Sequence, residues 1–158
     1  MRKLASLALL LALFSFVAAN ENNLANSRRF NTHLTGDEHV PSVNTTAQGQ
    51  ANFWLSKEET SLHYKVIVSN IENVTAAHLH LGEMGATGPV IFRLFDGPTV
   101  KGRMQGVLAE GVIANADLIS PLAGQTIDVL ISRIESGDIY VNVLTTQNPN
   151  GEIRGQLN

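Results

Sequence analysis

Two histidines one residue apart, His78 and His80, are the part of this chain best suited to chemistry. In Ala77-His78-Leu79-His80-Leu81 the imidazoles alternate with apolar residues. On a strand, both rings would leave one face while Ala77, Leu79 and Leu81 leave the other and hold the strand to a core. Rings so spaced stand about 7 Å apart along the strand. They can converge on one copper or zinc ion if a neighbouring strand supplies a third donor. The same pattern also describes two imidazoles that hydrogen-bond their neighbours on a half-exposed strand. Metal sites ordinarily take three protein ligands or more, and the sequence names two. His33, His39 and His63 each stand alone in their segments.

Other chemistry is thinly represented. Gly82–Pro89 is glycine-rich, but no Lys-Ser/Thr pair follows it, and the next segment reads as a strand rather than a helix. The loop is therefore a structural connection, and Glu83 at most offers a carboxylate beside the histidines. The chain has no cysteine, no G-x-S-x-G elbow and no HExxH. No two carboxylates make an acid–base pair that spacing alone identifies. Glu152 and Arg154 share one face of the last segment, where a surface ion pair is expected. No catalytic residue emerges, and the expected protein is not an enzyme.

The elements that must carry these residues are strands. Period-two alternation recurs in short runs punctuated by Gly, Pro and Asn. The runs are Arg28–Leu34, Gly49–Ser56, Ser61–Ser69, Val74–Leu81, Val90–Phe95, Arg103–Ile113, Ile139–Thr145 and Glu152–Leu157. Asp96-Gly97-Pro98 and Asn148-Pro149-Asn150-Gly151 read as turns, and Gly106 and Gly111 weaken their strand or mark bulges. In Thr126–Gly137 the rhythm changes. Ile127, Leu130, Ile131 and Ile134 form the stripe of a short helix, with Thr126 as N-cap and Gly137 as its stop. The expectation is an all-β, mainly antiparallel Greek-key sandwich or barrel with one helix. Gly102–Leu108 and Gly151–Leu157 share G-x-apolar-x-G-x-Leu, as two equivalent strands of a pseudo-symmetric sheet would.

The N-terminus sets the compartment. Arg2 and Lys3 precede an uncharged apolar run, Leu4–Val17, and Val17-Ala18-Ala19 carries the small residues of a cleavage site. That run is shorter than a spanning helix needs. Met1–Ala19 is therefore read as a cleaved signal peptide, Asn20–Ser27 as a short disordered lead-in, and Arg28–Asn158 as one domain. Without cysteine there is no lipoprotein anchor and no disulfide, so packing and backbone pairing must stabilise the fold. Two of the 11 basic residues lie in the leader and none of the 14 acidic ones, which leaves a net charge of −5. That balance argues against a nucleic-acid partner, and no later segment is apolar and long enough to span a membrane. A secreted or periplasmic location follows. Asn44-Thr45-Thr46 and Asn73-Val74-Thr75 would be glycosylation acceptors in a eukaryotic secretory route.

Several segments, taken in order, resemble the chordin-type (CHRD) domain family: Phe30–Leu34, Val40-Pro41, Ala76–Gly82, Gly88-Pro89-Val90, Ala116-Asp117-Leu118, Tyr140–Val143 and above all Asn148–Leu157. The resemblance covers about Arg28 to Leu157. It implies a β-sandwich similar in outline to immunoglobulin-like or superoxide-dismutase-like folds, and an extracellular binder of a protein, polysaccharide or surface, with no general enzymatic activity. Relatives commonly carry a histidine where this chain has Leu144, so a metal site they complete with that residue would be incomplete here. Copper or zinc at His78 and His80 is the alternative to a metal-free binding module.

Overall fold

The computed structural model describes residues 27–158. The expected leader, Met1–Ala19, lies outside the described residues, as does the expected lead-in apart from Ser27. The elements run β1 (Arg29–Thr35), β2 (Gln48–Leu55), β3 (Ser61–Leu81), β4 (Val90–Ala114), α1 (Ile127–Glu135), β5 (Ile139–Thr145) and β6 (Ile153–Gln156). Every pairing is antiparallel. β1 joins β2, β2 joins β3, β3 joins β5, β5 joins β6, and β6 returns to β1. The ring makes a closed five-strand barrel, and β4 is a sixth strand held by β3 alone. Closure removes the open edges that each short strand would otherwise present.

Two strand pairs expected from the sequence are single long strands. β3 runs unbroken through Asn70 and Asn73, which have φ of 54° and 53°. Asparagine tolerates this left-handed conformation better than most residues, so it bends the strand without ending it. Below the bend β3 pairs with β2 as far as Ser69, and above it pairs with β5 from Val74 onward. The Asn73 side-chain oxygen accepts a hydrogen bond from Gly102 N on β4 at 2.9 Å, tying the two long strands together at the bend. Asp96-Gly97-Pro98 is likewise no reversal. β4 stays paired to β3 on both sides of it, from Ala76↔Asp96 to Val74↔Val100, and the extra residues bulge. Gly106 (φ 126°) lies beside another register shift, whereas Gly111 sits in regular pairing. There the Tyr64 ring lies across Gly111 and a Cβ would meet it at 2.9–3.0 Å.

The helix forms where expected. Ile127, Leu130, Ile131 and Ile134 are all buried. Thr126 occupies the N-cap position, but its side chain makes no capping bond; Ile127 N donates instead to Asn115 Oδ1 at 2.8 Å. Gly137 ends the helix with φ 77°. The helical stripe joins Leu34, Phe53, Leu62, Ile71, Leu79, Ile91 and Ile113 in one core, each such side chain contributing about 1.5–3 kcal/mol. The two glycine-containing repeats do not occupy equivalent places: Gly102–Val107 is largely exposed, whereas Gly151–Gly155 is buried throughout.

The barrel closes through a narrow seam. β1 and β6 share the single register pair Thr35↔Arg154. At Gly155 a Cβ would run into the His33 carbonyl and Thr32 Oγ1, so the missing side chain is what lets the two backbones approach.

Candidate functional site

β3 places His78 and His80 on the outer face of the barrel and sends Ala77 and Leu79 into the core, both fully buried. On β5, Tyr140, Asn142 and Leu144 are the cross-strand partners of His80, His78 and Ala76. On β6, Gln156 and Arg154 are in turn the partners of Tyr140 and Asn142. The two imidazole centres are 5.9 Å apart, with planes inclined at 52°.

The neighbours of His80 fix its ring. It stacks on Tyr140 at 4.8 Å, nearly parallel, and the Arg154 guanidinium covers the Tyr140 ring at 3.6 Å. His80 Nδ1 lies 2.8 Å from the Gly88 carbonyl, so that nitrogen carries the proton and Nε2 keeps its lone pair. Gly88 N donates to the Tyr140 hydroxyl at 3.1 Å. A Cβ on Gly88 would collide with the Leu81 carbonyl, which is why glycine stands there.

Both imidazoles are held below the ordinary histidine range. For His78 burial is the main cause; neighbouring His80 and Arg93 add to it and Asp96 opposes it. For His80 burial again leads, the bond to Gly88 opposes it, and Arg154 adds to it. The rings are therefore neutral near pH 7 and their free nitrogens are available as acceptors.

Glu152 and Arg154 form no surface ion pair. They are 7% and 3% exposed and turn to different partners. Glu152 accepts from Thr45 Oγ1 at 2.7 Å, Thr145 Oγ1 at 2.7 Å and Asn148 Nδ2 at 3.1 Å. Arg154 donates to the carbonyls of Ala86 at 2.7 Å and Glu83 at 3.1 Å. Gln156 adds bonds to the carbonyls of Gly82 at 2.8 Å and Gly137 at 2.6 Å. The closing segment Asn148–Leu157 thus clamps the Gly82–Pro89 loop and the loop before β2 onto the barrel. Burial lowers the Arg154 guanidinium from its ordinary range, and Tyr140 and Glu38 oppose that shift. Sequence reasoning missed these roles, although the resemblance at Asn148–Leu157 marked the segment.

The structure gathers some expected residues and separates others. His39 places Nδ1 at 2.8 Å from the Pro41 carbonyl and Nε2 at 3.2 Å from that of Asn150. His63 stacks on Trp54 on the β2–β3 face, and His33 lies on β1. No third His, Cys, Asp or Glu joins His78 and His80 among the described residues. Leu144 stands two register pairs along from Asn142, opposite Ala76, and offers no donor. Asn44 is exposed in a loop, and Asn73 Oδ1 accepts from Gly102 N at the β3 bend. No described helix is long and apolar enough to cross a membrane.

The CHRD domain family matches residues 30–157. Chordin of Xenopus laevis is 32% identical over 78% of this chain, and chordin of Danio rerio is 31% identical over the same share. The chain spans 12% of the length of each. No solved structure gives a significant match.

Proposed function

Since this chain belongs to the CHRD-domain family, we propose that it is an exported, non-catalytic module that binds an extracellular protein. Met1–Ala19 is the leader that exports it, to the medium or to a periplasm. The observation that carries the docking site is the side of β4 away from β3 around Val107–Val112; near the start of the strand, Ile91 O already accepts from Ile119 N at 3.0 Å. Among the described residues this 25-residue strand has a sheet partner on one edge only. An unpaired strand edge offers a row of backbone donors and acceptors to an incoming strand, whose alternate side chains then read the surface beside it. Here that surface carries two exposed valines on either side of the Lys65–Glu110 ion pair. Val107 and Val112 are 44% and 47% exposed, and Val112 continues a cross-strand row through His63 and Trp54, whose rings stack at 5.4 Å.

The test immobilises the purified chain and exposes it to proteins of its own extracellular milieu, beside a V107K/V112K variant. A protein retained by the parent and lost at least tenfold by the variant, with unchanged thermal unfolding, is the expected result. Equal retention by both would overturn docking at β4. Retention that survives protease treatment of the milieu would point instead to a polysaccharide or surface ligand and would overturn the protein reading.

A further inference from the structure

Among the described residues, three side-chain atoms are buried with no hydrogen-bond partner: His78 Nε2, His80 Nε2 and Asn142 Oδ1. They belong to adjacent residues. His78 and His80 are i and i+2 on one face of β3, and Asn142 is the cross-strand partner of His78. Asn142 is only 5% exposed; its Nδ2 donates to the Asn150 carbonyl at 2.9 Å and its Oδ1 packs against Gly151 beside His39 Nε2, so the open pair on β3 is His78 Nε2 and His80 Nε2. An unsatisfied buried polar atom costs about 1–3 kcal/mol, so two such imidazole nitrogens on one strand face imply a group that meets them.

We propose that His78 and His80 bind one transition-metal cation, zinc or copper, through their Nε2 atoms. The site is separate from the β4 edge, so it stands or falls independently of protein docking. His80 has the arrangement of a metal-binding imidazole: one nitrogen donates to a backbone carbonyl, which sets the tautomer and aims the other. The ring spacing agrees. A ring bound at about 2.1 Å has its centre about 3.2 Å from the ion, so two rings on one ion stand about 5.2 Å apart at a tetrahedral angle and about 6.4 Å when linear. The 5.9 Å observed lies within that window. Arg93 beside His78 and Arg154 near His80 oppose added positive charge, and Asp96 favours it. With two imidazoles as its protein donors, the site binds more weakly than one with three or four protein ligands.

The test strips the purified, tag-free chain with a chelator and titrates it with zinc, and separately with copper, against a chromophoric competitor. One equivalent should bind. H78A and H80A should each weaken binding at least tenfold, and H63A should leave it unchanged. Circular dichroism establishes that each variant is folded. For copper, the electron spin resonance spectrum should show coupling to two nitrogens. No stoichiometric binding, or binding that H78A and H80A leave intact, overturns the proposal. So does a crystal grown with zinc that shows only an ordered water at the two Nε2 atoms.

Discussion

His78 and His80 contribute a pH dependence whose sign follows from their burial. Both have folded-state values below the ordinary histidine value, so on acidification the unfolded chain takes up protons first, near pH 6.5. Stability is therefore full above that point and falls as pH drops toward the folded-state values. The urea midpoint should decrease between about pH 7.5 and pH 5, and H78Q/H80Q should flatten the decrease. Arg154 makes a different demand. R154M keeps the apolar stem but leaves the Ala86 and Glu83 carbonyls without their donor and the Tyr140 ring without its cation. A loss of about 3 kcal/mol is expected from equilibrium unfolding, with faster amide exchange in the Gly82–Pro89 loop. At this scale the sequence placed both histidines on one face correctly, because alternation on a strand dictates it. It could not show that Arg154 and Glu152 are buried. Charged residues near a chain end are usually solvated, and here loops distant in sequence cover them.

β3 and β4 show where local signals mislead at the scale of the element. Asn70, Asn73 and Asp96-Gly97-Pro98 carry turn chemistry, and a turn in isolation would reverse the chain. Paired over their length, the two strands convert the same backbone conformations into bends and bulges, because ladder bonds on either side outweigh a local reversal. N73A should therefore cost about 2 kcal/mol, from the strained left-handed position and the lost bond to Gly102. N73G relieves the strain and should recover about half of that by thermal unfolding. The helix was legible because its stripe of isoleucines and leucine breaks the period-two rhythm. Its capping donor was not, because Asn115 lies 12 residues upstream of the N–H it satisfies.

Across the whole molecule, the narrow seam between β1 and β6 is the most sensitive point. G155A places a methyl group against the His33 carbonyl and Thr32 Oγ1. It should lower stability by about 2–3 kcal/mol in a denaturant melt, as backbone has little room to yield. Gly102→Ala, whose Cβ would meet nothing within 4 Å, serves as the comparison for a glycine at positive φ in open space.

Sequence alone determined the β-rich class, the helix at Ile127–Glu135, the facing of the histidine pair and the resemblance that family membership bears out. Each of these follows from periodicity or from a short run of residues. Only the tertiary structure decided that the strands close into a barrel, that β4 keeps a free edge, and that Asn142 is the cross-strand partner of His78. It also placed the Arg154 clamp over Tyr140. Those facts depend on register between segments far apart in the chain, and register is set by the packing of the whole core.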